Sequence, residues 1–136
     1  MDPVHQAFLA KLSSWATSQS EIRGILLVGS FARGAGKPDS DVDLLIIAKN
    51  PGFYLSTLEW THELGEISRH QIEEWGKLTS LRVWFQYGLE IEFGFAAESW
   101  IATPLDPGTR KVLLAGYQIL NERNGLLSNA INEQIQ

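Results

Sequence analysis

Apolar residues recur at helical spacing near the start of the chain, at Val4, Phe8, Leu12 and Trp15. Side chains three or four positions apart share one face of a helix, so this spacing predicts a helix with one buried face. Asp2 precedes the pattern and can accept hydrogen bonds from the first free amides of such a helix. Pro3 suits the first helical position, where no amide hydrogen is needed. We therefore predict that the chain opens with a helix starting near Pro3.

Two short, almost continuous apolar runs follow this helix. Residues 21–29 read EIRGILLVG and residues 42–48 read VDLLIIA. Such runs are typical of strands that are covered on both faces. Between them, SFARG at residues 30–34 predicts one helical turn or slightly more, with Ser30 at its N-terminus. The order strand, short helix, strand is therefore predicted for this part of the chain.

The middle of the chain mixes helical and strand patterns. Residues 51–65, PGFYLSTLEWTHELG, predict one helix that ends at Gly65. Residues 66–80, EISRHQIEEWGKLTS, carry many charges but no clean helical stripe, and we predict a strand there. Residues 81–96, LRVWFQYGLEIEFGFA, are rich in β-branched and aromatic residues around Tyr87 and Gly88, which is typical of a hairpin of two strands.

The C-terminal part returns to short elements. DPGTRKVLLAG predicts a helix that Asp106 caps, Pro107 begins and Gly116 ends. A short strand at YQIL and a last helix from about Leu127 complete the pattern. Strands and helices are mixed without strict alternation, so the predicted class is α/β (α+β), with a mixed β-sheet flanked by helices.

Composition and charge narrow the function classes. A length of 136 residues with 44% apolar residues predicts a single folded domain over residues 1–136. The net charge of −5 argues against direct binding of duplex nucleic acid, which needs a basic surface. The absence of cysteine excludes disulfides and thiolate zinc sites. No signal peptide and no membrane-spanning apolar run are found, so the expected location is the cytoplasm.

Two aspartates at the start of the second apolar run are the first candidates for chemistry. Asp41 and Asp43 are two positions apart, so on a strand both side chains point to one face. Carboxylates this close repel each other unless a cation lies between them, and Mg²⁺ or Mn²⁺ takes such oxygen ligands together with substrate phosphates. Gly29 and Ser30 lie where a strand turns into a helix, and free amides there can bind phosphate oxygens. This combination predicts phosphoryl or nucleotidyl transfer from a nucleoside triphosphate.

Other phosphate and cation motifs do not fit. A P-loop requires Gly-Lys-Ser/Thr, but Gly34 is followed by Ala35 and Lys37 by Pro38. A dinucleotide fingerprint lacks its last glycine. A calcium loop requires glycine where Leu44 stands.

Several side chains near the motif have two interpretations each. Ser30 could bind phosphate or only cap the short helix. Arg33 could contact phosphate or be a surface charge at the end of that helix. Trp60 and Trp75 could pack in the core or line a pocket for the nucleotide base.

GSFARG followed by SDVDL resembles the signature of the DNA polymerase beta-like nucleotidyltransferase superfamily, and most closely that of its small minimal and antibiotic-type members. The signature is matched residue by residue at Gly29, Ser30, Asp41 and Asp43, and in common variants at Arg33 and Ser40. The resemblance implies a nucleotidyltransferase fold, a nucleotide held by the Gly-Ser turn with Arg33 and Ser40, and two Mg²⁺ ions. It also implies transfer of a nucleoside monophosphate from a nucleoside triphosphate to an acceptor hydroxyl, on a small molecule or a protein.

The resemblance also requires a third carboxylate on a later strand, for metal binding and catalysis. In LEIEFGFA the residues Glu90, Glu92, Gly94 and Ala96 share the polar face. The alternation of side chains along the strand does not distinguish Glu90 from Glu92, because both lie on this face. Glu92 lies further from the predicted turn, where a side chain is better held, so we predict Glu92 and keep Glu90 as the alternative.

From its 136 residues we expect this chain to lack the large second domain with which polymerase and antibiotic-modifying relatives hold the acceptor. The acceptor site would then come from roughly the last forty residues, from a second subunit of a homodimer, or from a partner protein. One alternative function is a minimal nucleotidyltransferase antitoxin that binds and modifies a helical partner toxin. A metal-dependent glycosyltransferase with an Asp-x-Asp motif is another, against which the upstream Gly29–Ser30 pair counts.

Overall fold

The computed structural model describes residues 2–75, 78–102 and 105–135. Its strands are β1 Ile22–Val28, β2 Val42–Ala48, β3 Ile67–Trp75, β4 Leu78–Phe85, β5 Glu90–Ala96 and β6 Gln118–Glu122. They form one sheet in the order β3-β4-β5-β2-β1-β6. Among these described strands, β2 and β5 run parallel and every other neighbouring pair is antiparallel. The predicted α+β class with a mixed sheet is therefore confirmed.

The helices are α1 Pro3–Thr17, α2 Gly29–Ala32, α3 Pro51–Ser56, α4 Pro107–Leu114 and α5 Leu126–Ile135. Two of them begin as the sequence predicts. The carboxylate of Asp2 accepts a hydrogen bond from the amide of His5 at 3.0 Å. Asp106 accepts one from the amide of Thr109, also at 3.0 Å. Each cap satisfies an amide that has no partner within its own helix, which fixes where the helix starts.

The sheet separates two apolar clusters, one on each face. On the first face, Phe8 and Leu12 of α1 pack with inward side chains of β1, β2, β4 and β5. On the second face, Leu113 of α4 and Leu127 and Ile131 of α5 belong to the other cluster. Because β1 and β2 are covered on both faces, their sequences are nearly continuous apolar runs.

The single helix predicted for residues 51–65 is wrong. Helix α3 ends at Ser56, and Thr57 has extended backbone angles of φ −139° and ψ 139°. A 3₁₀-helix then covers Glu59–Glu63. At the break, carbonyl groups of α3 lose their helical partners and accept hydrogen bonds from side chains instead. The Trp60 indole, for example, donates to the Tyr54 carbonyl at 2.9 Å. A helical pattern does not show such a break, because the hydrogen bonds that replace the helical ones come from side chains.

Residues 66–80, predicted as one strand, contain β3 and the first residues of β4. Residues 76 and 77 of this stretch lie outside the described residues. β3 occupies one edge of the sheet, and most of its side chains are exposed on both faces. A strand without a buried face shows no alternation of apolar and polar residues, which explains why the sequence pattern is indistinct.

The other elements lie close to their predicted positions. The hairpin of β4 and β5, strand β6 and helix α5 are all present. The sequence pattern does not predict the 3₁₀-helix at Glu98–Ile101, because it is a single turn. Within the described residues, none of the helices combines the length and apolar character needed to cross a membrane.

Candidate active site

The candidate site lies where three neighbouring strands place charged side chains on the second face of the sheet. The parallel register of β2 and β5 puts Asp43 opposite Glu92. The antiparallel register of β4 and β5 puts Arg82 opposite Glu92 from the other side. Asp41 stands two residues before Asp43, so its side chain shares that face. The strand order therefore brings together groups that are distant in the sequence.

The carboxylates of Asp41, Asp43 and Glu92 form a compact cluster. One oxygen atom from each lies within 4.8 Å of the other two, and all three residues are half-buried. Asp43 Oδ1 is buried and has no hydrogen-bond partner within the described residues. Three oxygen donors, one of them buried and unpaired, fit a hard divalent cation such as Mg²⁺ or Mn²⁺. Glu92, rather than Glu90, belongs to this group of described acidic residues.

Arg82 is the counter-ion of the cluster. Its guanidinium donates to Asp41 Oδ2 at 3.0 Å, to Glu92 Oε2 at 2.9 Å and to Glu90 Oε2 at 2.5 Å. Partial burial lowers the pKa of Arg82, but the hydrogen bonds to Asp41 and Glu90 outweigh this effect and raise it. Sequence reasoning missed this residue. A signal was present, since Arg82 is the lone charge in LTSLRVWF and a hairpin centred on Tyr87 would place it opposite Glu92.

Asp43 is the carboxylate of the cluster that the guanidinium of Arg82 does not neutralise. Burial, the nearby charge of Asp41 and contact with Glu92 together raise its pKa to about 7. The Arg82 guanidinium bonds to the other acids of the site but not to Asp43. Without a cation, Asp43 therefore keeps a proton over a pH range in which an exposed aspartate is ionised.

This protonation predicts that the metal-free chain loses stability as the pH rises. The folded chain holds the Asp43 proton up to about pH 7, whereas the ordinary pKa is 3.8. A carboxyl whose pKa is raised by folding stabilises the folded chain fully at pH values below its pKa in the unfolded chain. This stabilisation is lost as the pH rises through its pKa in the folded chain. In EDTA the unfolding free energy of Asp43→Asn, relative to that of the parent, should rise by about 1–2 kcal/mol as the pH goes from 5 to 8. This figure is reduced for solvent screening, because Asp43 is only half-buried.

Urea unfolding of the parent and Asp43→Asn at several pH values measures this difference. The variant is the control for all other titrating groups, because they are common to both chains. A difference that stays flat from pH 5 to pH 8 would show that Asp43 titrates normally in the folded chain.

Gly29 joins the end of β1 to α2 directly beside Asp43. Its φ is +74°, in the left-handed region that favours glycine. A Cβ atom at this position would overlap with Asp43 Oδ2. No side chain caps α2, whose N-cap position is Val28, so Ser30 does not act as the helix cap. The turn therefore brings an uncapped helix start next to Asp43, and the half-buried Ser30 is the next residue of that helix.

Gly29→Ala should therefore cost more than backbone strain alone. We expect a loss of about 1–2 kcal/mol from the left-handed φ and a further loss because Asp43 must move. Gly34→Ala is the matched control, since Gly34 has the same φ of +74° but has nothing within 4 Å of its added Cβ. Thermal unfolding and Mn²⁺ titration of both variants measure the two effects. Equal stability and equal Mn²⁺ binding in the two variants would mean that contact with Asp43 is unimportant.

Arg33 and Ser40, predicted on the nucleotide, have local contacts. Arg33 is exposed at the end of α2, and its Cγ would lie 3.0 Å from a Cβ at Gly116. The hydroxyl of Ser40 accepts a hydrogen bond from the Lys37 amide at 3.0 Å, which shapes the turn before β2. Their roles toward a nucleotide stay predictions.

A pocket of about 520 Å³ continues from the carboxylates along the second face, beneath α4. Its polar side includes Asp43, Glu92 and Ser80. The rest of its lining is largely apolar and includes Trp75, Leu78, Trp100 and Val112. Trp60, the other tryptophan considered for a base pocket, stacks on Trp15 with ring centroids 5.0 Å apart and packs against the first-face core. Trp75 therefore lies at this pocket and Trp60 does not.

An acidic cluster beside a strand-to-helix glycine turn on a mixed sheet is an arrangement suited to transfer of phosphate-linked groups. The family model for the nucleotidyltransferase domain matches residues 10–102, which is more than half of the chain. The chain therefore belongs to the nucleotidyltransferase domain family. A comparison with curated proteins returned no significant match.

Solved structures share the fold at low sequence identity. An aminoglycoside 6-adenyltransferase from Bacillus subtilis is 14% identical with a TM-score of 0.55, covering 74% of this chain and 36% of that one. The Thermotoga maritima CCA-adding enzyme complexed with tRNA is 16% identical with a TM-score of 0.53, covering 96% and 32%. A cytoplasmic RNA terminal U-transferase is 17% identical with a TM-score of 0.52, covering 82% and 33%. The chain thus spans about a third of the length of these proteins.

Proposed function

We propose that the chain transfers a nucleoside monophosphate from a nucleoside triphosphate to an acceptor hydroxyl. The observation that carries this proposal is the cluster of Asp41, Asp43 and Glu92, with oxygens within 4.8 Å of one another, beside the Gly29 turn. In the reaction the acceptor oxygen bonds to the α-phosphorus, the bond to the leaving pyrophosphate breaks, and the hydroxyl proton passes to a base.

Asp41, Asp43 and Glu92 would hold Mg²⁺ or Mn²⁺ at this site. When bound, such an ion supplies positive charge that neutralises phosphate oxygens and the developing charge of the leaving group. Gly29 leaves room for the Asp43 carboxylate. In this proposal the Ser30 hydroxyl, one residue after Gly29, donates to a phosphate oxygen. Glu92 stands on the strand beside Asp43 and is the candidate base for the acceptor proton.

Arg82 would compete with a cation for two of the three carboxylates. It bonds to Asp41 and Glu92, which are both in the cluster, and also to Glu90, which is outside it. We propose that Arg82 stays on Glu90 when the other two carboxylates bind the ion. The guanidinium would then be a fixed positive charge beside the phosphates of the donor.

The pocket beneath α4 is proposed to receive the ring-bearing part of a substrate. Trp75 and Trp100 give it two indole rings, and Asp43 and Glu92 stand at its polar side. Aromatic side chains bind flat rings by stacking, so a nucleobase or an aromatic acceptor fits the lining better than a polycationic sugar does. Val112→Trp on α4, where Val112 is 39% exposed, would narrow the pocket without disturbing the core.

The test measures pyrophosphate release from each nucleoside triphosphate with Mg²⁺ or Mn²⁺. Acceptors of three classes are offered in parallel: an aminoglycoside, a short RNA and cell extract, each with a labelled donor. Asp41→Asn is the inactive control and Glu66→Gln, an exposed acid elsewhere, is the matched active control. We expect release and labelling with the parent and Glu66→Gln but not with Asp41→Asn. Equal release by the parent and Asp41→Asn, in every combination, would contradict the proposed site.

A further inference from the structure

Strand β3 is a long and open edge of the sheet. It has nine residues, Ile67–Trp75, and the described residues place no strand beyond it. Ile72 and Trp75 are 46% and 59% exposed. An edge of this kind presents unpaired amide and carbonyl groups to which another strand can bond.

The opposite edge of the sheet is protected in a way that β3 is not. β6 has five residues, mostly half-buried, and Arg123 directly after it bonds to carbonyl groups at the end of α1. β3 contains no proline, and its charged side chains, which could discourage edge pairing, are of both signs. β3 is therefore the longer and more exposed of the two edges of the sheet.

The charges along β3 are separated by sign. Arg69 lies in its first half, and Glu73 and Glu74 lie in its second half. An antiparallel pair of β3 strands would place the positive half of each copy opposite the negative half of the other. Opposite charges directly across an antiparallel pair stabilise it, and like charges destabilise it.

Symmetry restricts how two copies of β3 can pair. A two-fold axis perpendicular to the sheet keeps each side chain on its own face. Residues directly opposite each other share a face, so the axis must run midway between the two copies of one residue. With Gln71 as that residue, Arg69 of each copy stands opposite Glu73 of the other. A shift of the axis by one residue in either direction separates this pair.

Both charged side chains are held in position before any pairing. The guanidinium of Arg69 lies 3.9 Å from the ring centroid of Trp84. Glu73 accepts a hydrogen bond from the side chain of Gln71 at 3.0 Å. Side chains that are already ordered lose less conformational freedom on association.

We propose that β3 is a homodimer interface in which two copies pair antiparallel about Gln71, so that the two sheets become continuous. This interface goes beyond the proposed function and does not depend on it. The registers of β3 on β4 put Gln71 opposite Arg82 and Glu73 opposite Ser80, so the interface side chains share the face of the carboxylate cluster. Both sites of the dimer therefore open on the same side of one sheet.

Sedimentation velocity from about 1 to 200 µM tests the proposal, a range that covers micromolar dissociation constants. We expect the parent to dimerise, and Arg69→Glu and Glu73→Arg each to weaken dimerisation about ten-fold or more, because two attractive pairs become repulsive. Mixing the two variants should restore a dimer, since one chain then carries acids at both positions and the other carries arginines at both. The double variant Arg69→Glu, Glu73→Arg should also dimerise like the parent. Glu74→Arg is the matched control on the same strand, because position 74 then faces Ser68, and it should dimerise like the parent.

Circular dichroism and thermal unfolding of each variant show that it is folded, and the restored mixture confirms this independently. A monomeric parent across the concentration range would overturn the proposal. So would single variants that dimerise like the parent, or a mixture that stays monomeric.

Discussion

Asp43→Asn is expected to lower nucleoside triphosphate turnover about 100-fold or more while the chain stays folded. The substitution keeps the shape of the side chain but removes a negative charge from a cluster of three acids. In the proposed function, binding of the metal and of the phosphates depends on that charge, whereas its loss relieves the metal-free fold of repulsion between carboxylates. Initial rates of pyrophosphate release with Mg²⁺, together with a thermal melt in EDTA, measure the two effects.

Asp39→Asn is the matched control for this experiment. Asp39 is exposed in the turn before β2 and is outside the acidic cluster. The same change of residue type there should leave turnover close to that of the parent. Similar turnover in Asp39→Asn and Asp43→Asn would remove Asp43 from the site.

A parallel comparison separates the two glutamates of β5. Glu92→Gln should reduce turnover far more than Glu90→Gln, because Glu92 is in the cluster and Glu90 contacts it only through Arg82. If Glu90→Gln loses activity and Glu92→Gln does not, Glu90 is the third carboxylate instead of Glu92, and the assignment of the other site residues is unchanged.

Arg82→Gln is expected to destabilise the metal-free chain by about 2 kcal/mol and to increase the stabilisation that Mg²⁺ provides. The parent guanidinium bonds to three carboxylates and is only 23% exposed, so its removal leaves them without compensation. A cation entering the variant no longer competes with Arg82 for Asp41 and Glu92. Thermal unfolding in EDTA and in Mg²⁺ gives both quantities from one set of samples.

Arg23→Gln provides the comparison for an ordinary ion pair. Arg23 bonds to Glu98 at 3.2 Å, and Glu98 is 49% exposed. Exposed pairs contribute at most about 1 kcal/mol, so this variant should differ little from the parent and should not change the response to Mg²⁺. If both arginine variants lose the same stability and respond alike to Mg²⁺, Arg82 is a surface charge and not the counter-ion of a metal site.

Most of the fold could be predicted because its signals are local. The bounds of β2, the caps Asp2 and Asp106, and the hairpin around Tyr87 depend on residues within a few positions of one another. The break at Thr57 could not be predicted, because it rests on hydrogen bonds from side chains several residues away. The sequence pattern of β3 did not clearly indicate a strand, because neither face of β3 is buried.

The candidate site also has a part that local sequence signals predict and a part that depends on tertiary contacts. Asp41 and Asp43 are visible from their spacing alone, and strand phase limits the third carboxylate to Glu90 or Glu92. The β2–β5 pairing, which joins segments that are far apart in the sequence, puts Glu92 beside Asp43. The role of Glu92 as the third carboxylate stays a prediction. The hairpin pattern could have indicated that Arg82 faces Glu92, but the contact of Arg82 with Asp41 and the pocket beneath α4 depend on tertiary packing, which periodicity along the chain does not encode.

The hairpin of β4 and β5 has consequences for the order of folding. Its strands are joined by a short turn, so Arg82 can meet Glu90 and Glu92 early, before the distant β2 docks. The aspartates of β2 then approach acids that already have a counter-ion. In EDTA we therefore expect Arg82→Gln to refold more slowly in stopped-flow experiments, with most of the change in the folding rate. An effect confined to the unfolding rate would mean that Arg82 finds its partners only after the strands have paired.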